Sequence, residues 1–227
     1  MDTVKTEIIT IRESQKTHKK APKFVPAGQT SQMIVGASNE TDLQVIQLSS
    51  HFYKEYALKR VYYSGYVPML TDSRLPAIGT PVPMVRENRL YQADWLMRFY
   101  GFGADEIVEP ESPFLDLDCD PKLAWAIRHR EHFPVNIQTA PYNMIVRIPG
   151  IGTRTAKKII KARKYHHLTL EHLKKMGGAV NRAKYFLAMT GKNEHLAHLT
   201  RDNFRQYVLA QTQTKFKDAR HSQLPLF

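Results

Sequence analysis

At 227 residues, with 42% hydrophobic and 10% aromatic side chains, the chain suits one large domain or two small ones, and its composition excludes disorder. No apolar run is long enough to span a bilayer, and residues 1–20 lack the apolar core of a signal peptide. The one cysteine, Cys119, excludes a disulfide framework within the chain and an all-protein zinc–thiolate site, so the sequence is read as that of a cytoplasmic protein without membrane contact.

The net charge of +12 is unevenly spread. Residues 141–227 carry 17 Lys/Arg against 4 Asp/Glu, and residues 1–140 carry 16 against 17. A block this basic on a folded module is an electrostatic footprint for a polyanion. The ordinary alternative is a solvated surface that keeps the protein soluble.

In chain order, residues 1–23 are polar and basic and predict a helix or linker. "SQMIVGA" (31–37) is a short apolar run ending in Gly-Ala, a buried-strand pattern. "NETDLQVIQLSSHFYKEYALK" predicts a helix, with Leu43, Ile46, Phe52, Tyr53 and Tyr56 near helical spacing. "RVYYSGYVPM" (60–69) is aromatic and β-branched and predicts a second strand. After the Pro/Gly loop "PAIGTPVPM", "RENRLYQADWLMRFYGF" predicts an amphipathic helix with Leu90, Trp95, Leu96 and Phe99 on its apolar side. Strand, helix, strand, helix argues for α/β with parallel strands, and two strands are too few for a closed barrel. The acidic, proline-punctuated "GADEIVEPESPFLDLDCDPK" predicts a solvated loop, its carboxylates a weaker candidate for metal. "DPKLAWAIRHREHF" predicts a helix opened by Pro121. Short helices follow at 141–147, 154–164, 170–176, 182–189 and 201–211, then a flexible tail.

The centre of the basic block is "MIVRIPGIGTRTAKKIIKAR" (144–163), with six Lys/Arg in twenty residues. A helix, a Pro-Gly-Ile-Gly turn and a second helix form a helix–hairpin–helix pattern. Gly150 and Gly152 lack Cβ, so the turn can close and its amides can approach a phosphate oxygen. Those amides fall at the amino end of the next helix, where unpaired N–H groups and the helix dipole favour an anion. Ile148 and Ile151 are expected to anchor the turn. Arg154, Thr155, Lys157, Lys158 and Lys161 join Gly150, Ile151 and Gly152 as the candidate DNA-binding set, since phosphate contacts supply affinity without a base code. A degenerate copy, "LKKMGGAVNRAKYF", places Met176, Gly178 and Arg182 28 positions after Ile148, Gly150 and Arg154, with Val180 in place of the second glycine. It adds Gly178 and Arg182 to the set. Tandem hairpins of this kind would grip both backbones of a duplex across the minor groove. Base-excision glycosylases also use such a hairpin, but they need a catalytic Asp after it, and no Asp occurs between Asp120 and Asp202.

Gln223, Leu224, Leu226 and Phe227 lie in a terminal Gln-Leu-Pro-Leu-Phe that resembles the bacterial sliding-clamp-binding pentapeptide, in which two apolar residues enter a pocket and the glutamine hydrogen-bonds. Ten histidines are scattered. His166, His167, His195 and His198 fall in the basic segment without acids to complete a ligand set, so no metal site is expected. Trp95 and Trp125 are expected in the core.

Residues 22–192 resemble radical SAM proteins of a DNA modification and repair family, often paired with a uracil-DNA-glycosylase-like protein. The resemblance rests on "FVPAGQTSQMIVGASNETD", "ENRLYQADWLMRFYGF", "DPKLAWAIRHREHFPVNIQTAPYNMIVRIPGIGTRTAKKIIKAR" and "GGAVNRAKYFLAMTGK". It implies α/β structure: a partial radical SAM (β/α) barrel remnant followed by an all-α tandem helix–hairpin–helix domain. The implied boundaries are a polar basic leader at 1–23, the partial barrel at 24–140, the hairpin domain at 141–191, and a helix and tail at 192–227. "MIVGASNET" is similar to the segment placed beside the nucleoside of SAM, which implies that Gly36 and Glu40 lie near SAM. Such enzymes hold a [4Fe–4S] cluster with three cysteines, and only Cys119 exists here. The expectation is therefore the carboxy-terminal portion of such a protein, from a truncated, split or mis-started gene, without a cofactor on this chain alone. SAM and the cluster would be held by a missing amino-terminal part, a separately encoded cluster-bearing half being one candidate partner. The expected function is duplex-DNA binding within a repair or modification protein. The alternative is a non-catalytic DNA- or RNA-binding adaptor tethered to the sliding clamp.

Overall fold

The computed structural model describes residues 1–18, 20, 24–188 and 199–212. The chain divides into two compact units, Met1–Arg98 with Phe102–Leu117, and Phe99–Gly101 with Asp118–Phe227. The division falls near residue 118 rather than at 140.

In the first unit, helix α1 (Asp2–Thr17) buries none of its residues. Strand β1 (Thr30–Val35), helix α2 (Asp42–Glu55) and strand β2 (Arg60–Gly65) then form one crossover unit. The strands pair in parallel from Thr30 opposite Arg60 to Val35 opposite Gly65. A parallel pair cannot be closed by a tight turn, so a long connection is obligatory, and α2 supplies it. Its start is set by a capping box: the Gln44 amide donates to Thr41 Oγ1 at 3.2 Å and the Thr41 amide donates to Gln44 Oε1 at 2.9 Å. The face α2 buries is Asp42, Val45, Ile46 and Ser49. Alternation along β2 turns Val61, Tyr63 and Gly65 inward, where the Tyr63 and Ser49 hydroxyls meet at 2.8 Å.

Helix α3 (Met84–Tyr100) buries Leu90, Ala93, Asp94 and Leu96. Trp95 and Phe99, expected on that face, are 54% and 47% exposed. At ~100° per residue they lie about 140° and 180° around the helix from Leu90, so only one of the two apolar stripes can face the core. The buried Asp94 accepts from the Tyr53 hydroxyl and from Arg98 at 3.2 Å. Asp42, 1% exposed, accepts from Arg86 Nε at 2.6 Å and from the Leu115 amide at 2.8 Å, tying α2, α3 and the segment after α4 (Ala104–Ile107) together.

The second unit is built around helix α5 (Pro121–Arg128), whose residues 121–127 are all buried. Asp120 caps it by accepting from the Leu123 amide at 3.1 Å, and Pro121 opens it. A 3-10 turn (Arg130–His132) follows, then α6 (Tyr142–Ile145), α7 (Thr153–Ala162), α8 (Leu170–Lys175), α9 (Val180–Ala183), a second 3-10 turn (Lys184–Phe186) and α10 (Arg201–Thr212). Ile145, Ile148, Ile151, Ile159, Leu173, Phe186, Phe204 and Val208 form the core with Leu123 and Trp125. The acidic stretch is thus only partly a solvated loop. Cys119 is buried, Asp120 is a cap, and Asp118 pairs with Arg205 at 3.1 Å.

Among the described residues no helix is long and apolar enough to cross a membrane.

Candidate nucleic-acid interface

The second unit holds two helix pairs, α6–α7 and α8–α9, whose loops meet at Gly150 and Ala179. Gly150 has φ +83°, and its carbonyl accepts from the Ala179 amide at 2.8 Å. A Cβ on Gly150 would lie 2.6 Å from the Ala179 carbonyl oxygen. Glycine is therefore required by the partner loop as well as by its own backbone. In the second hairpin the positive φ belongs to Gly177, at +92°, and the residue before the second helix is Ala179. The repeat is thus 27 positions, not 28. Gly150 corresponds to Gly177, Gly152 to Ala179, and buried Ala156 and Ile159 to buried Ala183 and Phe186. Gly178 takes the place of Ile151, and a Cβ there would sit 3.1 Å from the Leu173 carbonyl oxygen. A Gly-Gly pair leaves the register open in sequence, and backbone conformation decides it.

The first loop directs its polar groups in a defined way. The Gly150 carbonyl turns to Ala179, and the Ile151 carbonyl accepts from Lys122 Nζ at 2.5 Å. Lys122 is 9% exposed on α5, with its ammonium 4.8 Å from the Tyr100 ring centroid. Burial pushes its pKa down to about 7, against the opposing pull of Asp120. With both carbonyls turned inward, the amides of Gly150, Gly152, Thr153 and Arg154 have no hydrogen-bond partner among the described residues. Gly152 is the residue capping α7 and offers no side-chain cap. Unpaired amides at the amino end of a helix, with its dipole, are groups that can hold an anion.

Helix α7 buries Thr155, Ala156 and Ile159 and exposes Arg154, Lys157, Lys158 and Lys161, a cationic stripe at i, i+3, i+4 and i+7. Not all candidate residues face outward. Ile151 is 1% exposed and contributes only backbone. Thr155 is buried, its hydroxyl 3.5 Å from the Met176 carbonyl, so it belongs to the packing between hairpins. Lys158 donates to the same carbonyl at 3.1 Å, capping the end of α8. Arg182 pairs with Asp120 at 2.8 Å. That leaves Arg154, Lys157 and Lys161 as the side chains most available to a ligand.

Sequence reasoning missed Lys122 beneath the loop. Its signal was a lone cation immediately before the apolar run Leu123–Ile127. It also missed Tyr165, 79% exposed beside Lys164, and the exposed Lys174 and Lys175 at the second hairpin.

In the first unit, Glu40 folds back on the end of β1. Its carboxylate accepts from the Gly36 amide at 2.7 Å and the Ser38 hydroxyl at 2.5 Å. Partial burial alone would raise its pKa, but these hydrogen bonds and nearby Arg86 hold it below the usual range. Gly36, at φ +83°, packs against Pro83. The two residues implied to lie near SAM are thus hydrogen-bonded to each other. Gln223, Leu224, Leu226 and Phe227, with His195 and His198, fall outside the described residues.

No protein-family profile matches the chain, and no solved structure matches it. It is 31% identical over 102 residues to the Holliday junction branch migration complex subunit RuvA of Stutzerimonas stutzeri (strain A1501). The likeness takes in 43% of this chain and 50% of that one, so the chain spans about half the length of the curated relative it matches. The match does not bear on the radical SAM resemblance.

Proposed function

We propose that the second unit binds duplex or branched DNA through its paired hairpins, with no base code. The observation that carries this is the anion seat at Gly152–Arg154, flanked by the stripe of Arg154, Lys157 and Lys161. One phosphate fits the amides, and neighbouring phosphates fit the stripe. The likeness to a subunit whose name places it on Holliday junctions supports DNA as the polyanion. Fluorescence anisotropy of the full chain with a duplex, a four-way junction, a single strand and a structured RNA of equal length tests the reading. Tighter binding of duplex or junction supports it. Preference for the RNA replaces it with the RNA-binding adaptor.

For the first unit we propose the role that the resemblance implies, a part of a radical SAM barrel completed by a cluster-bearing chain. The parallel β1–α2–β2 crossover supports it. Co-purification with a second polypeptide carrying three closely spaced cysteines tests it. The clamp-binding tail and the glycosylase-like partner belong to the same proposal, and pull-down with purified clamp tests the tail.

A further inference from the structure

We propose a divalent-cation site of the zinc class formed by His129, Glu131 and His132, on the 3-10 turn that follows α5. The turn is tight: the His132 amide donates to the His129 carbonyl at 3.2 Å and the Phe133 amide to the Arg130 carbonyl at 2.9 Å. This brings the side chains at i, i+2 and i+3 onto one side. His129 Nδ1 lies 3.1 Å from Glu131 Oε1, and His132 Nε2 lies 3.8 Å from the same oxygen. The three donor atoms all fall within 4.8 Å of one another. Tetrahedral zinc with bonds of about 2.0–2.1 Å needs donor–donor edges of about 3.3–3.4 Å. Two of the edges already bracket that value, and the third, between the two imidazoles, is no longer than 4.8 Å.

The imidazoles are not loose. His132 stacks on the buried Trp125, with ring centroids 5.8 Å apart and planes 12° from parallel. His129 leans on the same indole at 5.0 Å. Part of the ordering cost of a metal site is therefore met before any ion arrives. Two imidazoles and one carboxylate select zinc and its first-row neighbours over magnesium and calcium, which prefer all-oxygen sets. Three protein donors leave the fourth position to water or to an outside oxygen. Arg130, between the donors in sequence, donates to the Leu199 carbonyl at 2.5 Å and lies over the Phe204 ring. This inference is independent of the DNA reading.

The test is Zn²⁺ titration of the untagged full chain against a competing chelator, with Co²⁺ absorption as the coordination readout. Wild type is expected to bind one ion saturably, with a tetrahedral Co²⁺ spectrum and no displacement by excess Mg²⁺. His129→Ala is expected to weaken binding at least tenfold. His132→Phe keeps a ring on Trp125, so it preserves the fold while removing the donor, and the same loss is expected. Retention of affinity in His129→Ala/His132→Phe overturns the proposal and moves the ion elsewhere, for example to His166 and His172, whose rings lie 5.1 Å apart. Absence of saturable binding overturns it as well.

Discussion

Replacing Gly150 by alanine separates the structural duty of the loop from its ligand-binding duty. Alanine at φ +83° incurs about 1–2 kcal/mol of left-handed strain. Its Cβ would also lie 2.6 Å from the Ala179 carbonyl oxygen, a backbone atom that cannot swing aside. Relieving the clash parts the two loops and loses the Ala179–Gly150 hydrogen bond, about 1 kcal/mol more. Gly150→Ala should therefore destabilise the second unit by about 3 kcal/mol. Gly152→Ala is the control. Gly152 has an extended backbone with φ −87°, and a Cβ there meets only Tyr100 Oη at 3.4 Å. It should cost less than about 1 kcal/mol. Urea denaturation followed by Trp125 fluorescence, with circular dichroism to follow the helices, reads the difference. Equal stability of the two variants would refute the reasoning that the loops hold each other through Gly150.

Gly152→Asp should leave stability unchanged or raise it by up to about 1 kcal/mol, because aspartate caps a helix well. The same carboxylate fills the anion seat, so DNA affinity in the same sample should fall at least tenfold; unchanged affinity would remove the amides from the interface. Lys122 predicts a pH effect. Its folded pKa of about 7 lies below the ordinary lysine value of 10.5, so between those values the unfolded chain binds more protons and stability rises with pH. The slope is at most about 1.4 kcal/mol per pH unit, and the difference between wild type and Lys122→Met across pH 7–10 isolates it. No difference would mean that Lys122 is hydrated. Asp42→Ala leaves Arg86 and the Leu115 amide without their shared carboxylate, and the first unit should lose about 3 kcal/mol by thermal denaturation.

Much of the chain order is legible in sequence because local chemistry dictates it. The spacing of Leu43, Ile46 and Phe52 marks α2, Pro121 states where α5 begins, and the aromatic and β-branched run marks β2. What fails is what several elements decide together. Trp95 and Phe99 make an apolar stripe as regular as the buried one, and only packing chooses between them. The hairpin repeat is visible, but the Gly177-Gly178 pair conceals its register until φ is known. Arg182, Lys158 and Thr155 match the pattern of phosphate contacts, yet neighbours at Asp120 and Met176 engage them. The grouping of His129, Glu131 and His132 requires a tight turn and the flat face of Trp125, neither of which spacing reveals.

The central claim is that phosphates bind along α7. The most direct measurement is the salt dependence of duplex affinity, wild type beside Arg154→Gln/Lys157→Gln/Lys161→Gln. The side chains of these three residues form no hydrogen bond or ion pair among the described residues, so the variant should fold unchanged. Each lost phosphate contact lowers the slope of log affinity against log salt by about 0.9, so the triple variant should lose roughly 2.7 from it and bind more weakly at every salt concentration. A slope and affinity equal to wild type would contradict the account.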